Sequence, residues 1–209
     1  MKFVLLLEGK TEQLAISDFL KRWLNGQLSG RVGVDAISLG GYGNFRKDCK
    51  KRARLFLTSP RADQVILVIG ILDLYGPNFY PRQLNTVKER YDWLVKTFED
   101  DVDHEKFRMF AAVHEFEAWL LSQPEILPRE VRESLPAKST RYPERVNFHE
   151  PPAKVLSRLY RQRINRNYGK IKDGKLLFRK LSPKTASEKC PYLKDMLNTM
   201  LSQARLARL

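Results

Sequence analysis

Cysteine is scarce in this sequence, which has two cysteines, Cys49 and Cys190, among 209 residues. Two cysteines cannot build the disulfide framework on which small secreted proteins depend, and neither lies in a CxxC motif. The three histidines show no zinc-ligand spacing with them. We therefore expect two reduced thiols in the core and no structural zinc site.

Long apolar runs are also missing. The run at the amino terminus, residues 3–7, has five apolar residues and stops at Glu8. A membrane-spanning helix needs about 20 apolar residues and a signal-peptide core about 7–15. We therefore expect a cytoplasmic protein with no membrane partner, and we interpret residues 3–7 as a buried strand.

Acidic residues are rare in the last part of the chain. Residues 151–209 contain 15 lysines and arginines but three acids, whereas the first 150 residues contain 23 bases and 21 acids. Such an asymmetry in a chain of net charge +14 favours a polyanionic partner, DNA or RNA. The alternative is a basic surface that is simply solvated.

Strand and helix patterns alternate along the chain. Short apolar runs predict strands at residues 3–7, 32–39, 65–72 and 107–113. Apolar residues at helical spacing predict helices at 11–24 (capped by Thr11), 44–57, 84–98, 115–122, 153–163 and 185–208. This order predicts an α/β fold with about four mostly parallel strands flanked by helices. Residues 1–123 form the predicted core, and 124–209 a basic extension of helices and loops packed on it.

Carboxylates follow the predicted strands, where ligands bind in open parallel sheets. Glu8 ends the first strand, with Glu12 one helical turn later; Asp73 ends the third, and Glu115 and Glu117 follow the fourth. Oxygen ligands that converge in this way suit Mg²⁺ or Mn²⁺. Each acid alone is equally explained by a turn or by the first turn of a helix.

Glycines precede the second helix, and basic residues follow them. Gly41 and Gly43 could let a phosphate approach the helix amino terminus, although a turn that needs glycine for its geometry explains them equally well. Candidate phosphate-binding residues on the helix and in the basic extension are Arg46, Lys47, Lys50, Arg54, Arg158, Arg161, Arg163, Arg166, Lys172 and Lys175. A solvated helix face is the alternative.

The acidic residues, in this order, resemble the Toprim domain. In that domain a glutamate follows the first strand, an Asp-x-Asp motif follows a later one, and the carboxylates serve magnesium-dependent chemistry on nucleic acid. Glu8 matches the glutamate and Asp73 the first aspartate, but Tyr75 replaces the second aspartate. The resemblance implies a Toprim-like fold, and Tyr75 removes one expected metal ligand.

Nearly the whole chain resembles an uncharacterised bacterial Toprim-like family, domain of unknown function 4276. An aspartate followed two residues later by Tyr-Gly is usual there, so Tyr75 fits this family. The segments that carry the resemblance are residues 4–12, 73–77, 114–121, 151–154 and 190–191.

The acidic set is also similar to that of the overcoming-lysogenisation-defect nucleases. Their first acid is joined by another four residues later, as Glu8 is by Glu12, and a later motif ends in a glutamate, matched by Glu117. They also use a lysine, for which Lys154 and Lys170 are both candidates. The resemblance implies two metal ions, an anti-phage defence role and a partner ATPase.

The preferred hypothesis is a Mg²⁺- or Mn²⁺-dependent nuclease that hydrolyses DNA or RNA. Its predicted catalytic residues are Glu8 and Asp73 with Lys154 or Lys170, and its predicted metal ligands are Glu8, Glu12, Asp73, Glu115 and Glu117. The alternative is a non-catalytic module that binds nucleic acid or docks on an ATPase. A primase-like nucleotidyl transferase ranks last. The sequence predicts no oligomeric state.

Overall fold

Four parallel strands form the centre of the computed structural model, which describes residues 1–145 and 150–208, without the side chains of Thr11 and Glu12. The sheet has the order β2-β1-β3-β4, and every adjacent pair is parallel. The strands are β1 (Lys2–Leu7), β2 (Gly33–Ser38), β3 (Val65–Asp73) and β4 (Phe107–Ala112). The predicted α/β class and all four strands are confirmed.

The two central strands are buried on both faces. All nine residues of β3 and five of the six in β1 are buried, as expected for a parallel sheet covered by helices on both sides. Alternate side chains of β1 enter different core clusters: Phe3, Leu5 and Leu7 enter one, and Val4 and Leu6 the other. The sheet therefore lies between two apolar layers.

Helices follow each strand. They are α1 (Lys10–Asn25), α2 (Tyr42–Leu57), α3 (Val87–Val102) and α4 (Glu117–Leu121). Gly9 is the N-cap of α1, so the prediction that Thr11 caps this helix is wrong. The α3 helix begins later than predicted because Thr86 and Glu89 form a capping box that fixes its first turn.

Short helices dominate the chain after residue 123. They are α5 (Arg129–Arg132), α6 (Ala137–Arg141), α7 (Pro152–Ile164), α8 (Lys175–Lys180), α9 (Pro183–Lys189) and α10 (Pro191–Leu206), with a π-helical turn at Lys170–Gly174. The single helix predicted at 185–208 is wrong. The chain breaks at Cys190 because Pro191 has no backbone N–H and its ring clashes with a preceding helical turn.

The basic extension shares a core cluster with the sheet. The ring centroid of Trp119 lies 5.9 Å from that of Phe19 and 6.2 Å from that of Phe178. The Arg22 guanidinium donates to the carbonyls of Phe178 and Leu181, at 2.7 and 2.8 Å. No helix in the described parts of the chain is long and apolar enough to cross a bilayer.

Candidate functional site

Glu8 and Asp73 lie at the same edge of the sheet, on neighbouring strands. Leu7 pairs with Ile71 in the parallel register, so Glu8 lies one residue and Asp73 two residues beyond this pair. Adjacent strands are about 4.8 Å apart, which brings the two residues to the same edge of the sheet. Asp73 is buried, and its Oδ1 accepts a hydrogen bond from the Phe116 N–H at 3.1 Å.

The Tyr80 hydroxyl is buried beside this carboxylate pair. It has no hydrogen-bond partner among the described residues. Burial raises the pKa of Tyr80 well above its ordinary value, Arg90 lowers it, and the charges of Glu8 and Asp73 raise it further. The phenol therefore stays protonated and offers a donor next to two acids. Arg90 also lies over the Tyr80 ring, 5.4 Å from its centroid.

A second acidic group lies after β4 and is bound to the basic extension. Lys170 Nζ is 3.7 Å from Glu115 Oε1 and 3.6 Å from Glu117 Oε1. The other oxygen of Glu115 accepts the Ala153 N–H at 2.8 Å. Both glutamates are buried, so the lysine and the amide neutralise charges that would otherwise be costly.

The two candidate lysines have different positions. Lys170 contacts the glutamates, whereas Lys154 Nζ lies 5.9 Å from the centroid of the Tyr75 ring. Tyr75 itself extends the pairing of β3 with β4, because its N–H donates to the His114 carbonyl at 2.8 Å. Lys170 is therefore the lysine that the fold brings to the acidic residues after β4.

His114 is a further buried polar residue at this edge. Burial lowers the pKa of His114 to about 4, and the Arg90 charge acts in the same direction, so the imidazole is neutral at neutral pH. Sequence reasoning missed Tyr80, Arg90 and His114. His114 could have been found, since it directly precedes the acidic motif; Tyr80 and Arg90 reach the edge only through the fold of the loop after β3.

The donor set fits a metal ion that water and substrate help to hold. Among the described side chains, which exclude that of Glu12, no three His, Cys, Asp or Glu residues form a metal-binding group. Mg²⁺, however, is commonly held by one or two carboxylates together with waters and substrate phosphates. Glu8 and Asp73 are the candidates for such a carboxylate pair. Glu115 and Glu117 are bound to Lys170.

The glycine segment before α2 leaves open space at the helix amino terminus. Gly41 has φ +105°, which an L side chain rarely adopts, and its N–H donates to the Glu8 carbonyl at 2.7 Å. A Cβ at Gly41 or Gly43 would meet no atom within 4 Å. The Gly41 amide is therefore used internally, and the space beside Gly43 is open to a ligand.

Several of the predicted phosphate-binding residues have partners within the protein. Lys50 pairs with Asp101, and Arg158 with Glu150. Arg166 makes two hydrogen bonds to Asp173, at 2.8 and 2.9 Å.

Three other predicted phosphate-binding residues contact groups that are not acidic. Arg54 donates to the Val102 carbonyl, Arg46 lies 5.2 Å from the Phe79 ring centroid, and Arg161 contacts Asn167 at 3.5 Å. The candidates whose side chains are at least partly exposed and make no ion pair with a described residue include Lys47, Arg163, Lys172 and Lys175.

A family model covers almost the whole chain. The model described as "Domain of unknown function (DUF4276)" matches residues 7–201. The chain belongs to this family. The resemblance stated from residues 4–12, 73–77 and 114–121 is therefore confirmed, and the DUF4276 match extends through the basic extension as far as α10. None of the curated proteins matches the chain.

Solved structures of OLD proteins have a similar overall arrangement. The C-terminal region of the Xanthomonas campestris pv. campestris OLD protein is 16% identical, with 99% of this chain and 97% of that chain covered and a TM-score of 0.47. That of the Burkholderia pseudomallei OLD protein is 14% identical, with 93% and 98% covered and a TM-score of 0.44. At these values the likeness carries no information about chemistry.

Proposed function

We propose that this DUF4276 protein is a Mg²⁺- or Mn²⁺-dependent nuclease that hydrolyses phosphodiesters of DNA or RNA. The observation that carries the proposal is the position of Glu8 and Asp73 at the ends of the neighbouring strands β1 and β3, where both charges act on the buried Tyr80 hydroxyl. The excess of base in residues 151–209 supplies attraction for a phosphate backbone without reading its sequence.

Each residue of the edge has a proposed role. Glu8 and Asp73 hold the metal ion, with Glu12 as a further predicted ligand; the ion supplies Lewis acidity and neutralises phosphate charge. The neutral Tyr80 phenol, whose hydroxyl is buried, donates a hydrogen bond to a water oxygen near the carboxylates. Arg90 adds positive charge on the same side, which stabilises the charge that develops on a phosphoryl oxygen.

Lys170 is proposed to position the edge rather than to act on phosphate. Its ammonium holds Glu115, which lies between β4 and α4, and Glu117, the first residue of α4. Lys154, over the Tyr75 ring, is the candidate that remains available to approach a substrate. The two lysines therefore have different proposed roles.

Cleavage of labelled oligonucleotides tests the proposal. Purified protein is incubated with single- and double-stranded DNA and RNA in Mg²⁺, Mn²⁺ or EDTA, beside Glu8→Gln and Asp73→Asn. The asparagine of the second variant would keep an oxygen for the Phe116 N–H, so this change removes charge with little change of structure. We expect metal-dependent cleavage by wild type and a loss of about 100-fold or more in both variants. Asp63→Asn, an exposed acid just before β3 at the other end of the strand, is the charge-matched control.

The second candidate is a non-catalytic module that binds nucleic acid or docks on an ATPase. It is favoured by the engagement of Glu115 and Glu117 with Lys170, which leaves two of the five predicted metal ligands committed elsewhere. Absence of cleavage under every metal condition, with wild-type binding intact, would select this candidate. A role in anti-phage defence beside a partner ATPase is the cellular context that we propose for either function.

A further inference from the structure

A cavity of 1030 Å³ opens beside the acidic edge. Its walls come from the start of α3, the chain between α6 and Arg145, and the start of α10. His114, two residues after β4, also lines it, so the cavity adjoins the strand ends. Sites for small ligands measure about 300–1,000 Å³, and this one has room for more than a single base.

Basic side chains outnumber acidic ones around the cavity. The cations are Lys88, Lys138, Arg141, Arg145 and Lys189, and the acids are Glu144, Glu188 and Asp195. Lys88 pairs with Asp92, and Lys189 donates to the Ser122 carbonyl. Lys138, Arg141 and Arg145 are exposed and make no ion pair with a described residue, so their charge faces the cavity.

Tyr142 is an exposed aromatic side chain within this basic wall. It is 40% exposed, and the guanidinium carbons of Arg141 and Arg145 lie 5.4 and 5.2 Å from its ring centroid. An exposed ring flanked by two guanidinium groups combines a stacking surface for a base with two contacts for phosphates.

The segment that carries these side chains is anchored by hydrogen bonds to the start of α10. Pro143 and Glu144 are buried, while Arg141, Tyr142 and Arg145 on either side are exposed. The Glu144 carboxylate accepts the N–H groups of Tyr192 and Leu193, at 2.9 and 3.2 Å, and so ties the segment to the start of α10. The backbone that carries the ring and both arginines is therefore held in place before a ligand arrives, which lowers the entropy cost of binding.

We propose that this cavity binds a single strand of DNA or RNA and leads it to the acidic edge. Phosphates lie against Arg141 and Arg145, and an unpaired base stacks on Tyr142. A base within a duplex is already stacked and paired, so the exposed ring selects for single strands. The role of this strand as a substrate rests on the proposed nuclease function, but its binding does not.

Binding in EDTA separates the two proposals. Fluorescence anisotropy measures the affinity of wild type for labelled 20-nucleotide single strands, the matching duplex and a mononucleotide. The variants are Arg141→Ala/Arg145→Ala, Tyr142→Ala and Tyr142→Phe, and the charge-matched control is Arg31→Ala/Arg61→Ala. Thermal unfolding of each variant verifies that it is folded; every substituted side chain is exposed.

Wild type should bind single strands more tightly than the duplex or the mononucleotide. The double arginine variant should lose about tenfold or more in affinity, and the slope of log K against log salt should fall by about 1.4, or 0.7 for each lost phosphate contact. Tyr142→Ala should lose about 5- to 100-fold, as for one stacked base. Tyr142→Phe and the control should bind like wild type.

Equal binding of single strands by wild type and the cavity variants would overturn the inference, as would a preference for duplex or mononucleotide. Wild type that binds single strands through this cavity but never cleaves them would contradict the nuclease and leave the inference intact. If wild type cleaves nucleic acid, and all cavity variants cleave and bind single strands as well as wild type does, the nuclease would be supported and the inference about the cavity overturned.

Discussion

Lys170 places its ammonium 3.7 and 3.6 Å from the carboxylates of Glu115 and Glu117, whose side chains are 10% and 5% exposed. The sequence alone predicts these two glutamates as metal ligands on the same grounds as Glu8 and Asp73. In the structure, Lys170 supplies a cation to the pair after β4. At the scale of single residues, Glu115 and Glu117 are therefore part of an ion-pair group with the basic extension.

Replacing Lys170 with methionine should destabilise the fold. Two buried carboxylates would lose their neutralising charge, and because Lys170 is 45% exposed we expect about 1–3 kcal/mol, less than for a fully buried pair. Urea denaturation measures the loss. The loss caused by Lys170→Met should be smaller in a Glu115→Gln/Glu117→Gln background. Lys172→Met should change the free energy of unfolding little. A loss that is unchanged in that background would contradict the charge argument.

Two glycines should respond in opposite ways to alanine. A Cβ at Gly70 would lie 2.6 Å from Met109 Sδ and 3.2 Å from the Phe45 ring. Gly70→Ala should therefore cost about 1–3 kcal/mol of unfolding free energy. Gly43→Ala, in open space in the first turn of α2, should gain about 0.5–1 kcal/mol. If Gly43→Ala also weakens nucleic-acid binding, a phosphate approaches that turn; a stability loss at Gly43 would contradict the open space.

At the scale of elements, the strands could be predicted from sequence and the end of the chain could not. The eight apolar residues at 65–72 have only one stable place in a protein of this class, the middle of a covered sheet. The break at Cys190 depends on whether Pro191 kinks a helix or starts a new one, and Glu144 settles it by binding the new amino terminus. That carboxylate is 47 residues before Pro191 in the sequence, so no local pattern reveals the contact.

Contacts between residues that are far apart in the sequence also limit how much of the site can be predicted. Glu8 and Asp73 could be predicted from the sequence as residues at strand ends, because each acid directly follows an apolar run. The choice between Lys154 and Lys170 requires the path of the extension back over the sheet. Tyr80 and Tyr142 lie between regular elements, and their positions depend on packing against α3 and on the anchor at Glu144.

Glu144 should make stability depend on pH. Burial raises the pKa of Glu144 from 4.5 to about 8, against the lowering effect of its two N–H donors. Its folded pKa exceeds its unfolded pKa, so its contribution to stability is complete below pH 4.5 and is lost as the pH rises to 8. The unfolding free energy of wild type should therefore fall between pH 6.5 and 8, more than that of Glu144→Gln. His114 acts below this window, since its pKa shift lies between 4 and 6.5. Parallel pH profiles of the two proteins would contradict the argument.

At the scale of the whole molecule, charge is separated along one chain. The acidic edge belongs to the sheet, and the excess of base belongs to the extension that packs on it through Trp119 and Phe178. A polyanion can be attracted by one part while a cation is held by the other. The extension also supplies Lys170, which offsets the charges of the buried Glu115 and Glu117.

Neutralising exposed bases of the extension should weaken binding to every nucleic acid alike. In Arg161→Gln/Arg163→Gln/Lys172→Gln, we expect the slope of log K against log salt for single strands to fall by about 2, or about 0.7 for each contact. Anisotropy titrations at several salt concentrations measure it for strands of different sequence. An unchanged slope would show that these side chains are only solvated.

Manganese binding tests the central claim, that Glu8 and Asp73 form the metal site, most directly, because it needs neither substrate nor turnover. Free Mn²⁺ is followed by electron paramagnetic resonance during titration of wild type, Glu8→Gln, Asp73→Asn and Glu115→Gln/Glu117→Gln. We predict that each of the first two variants weakens binding about tenfold or more, a loss of about 1.4 kcal/mol. The glutamine pair after β4 should bind like wild type. Binding that survives in Glu8→Gln and Asp73→Asn but disappears in the Glu115→Gln/Glu117→Gln protein would contradict the account.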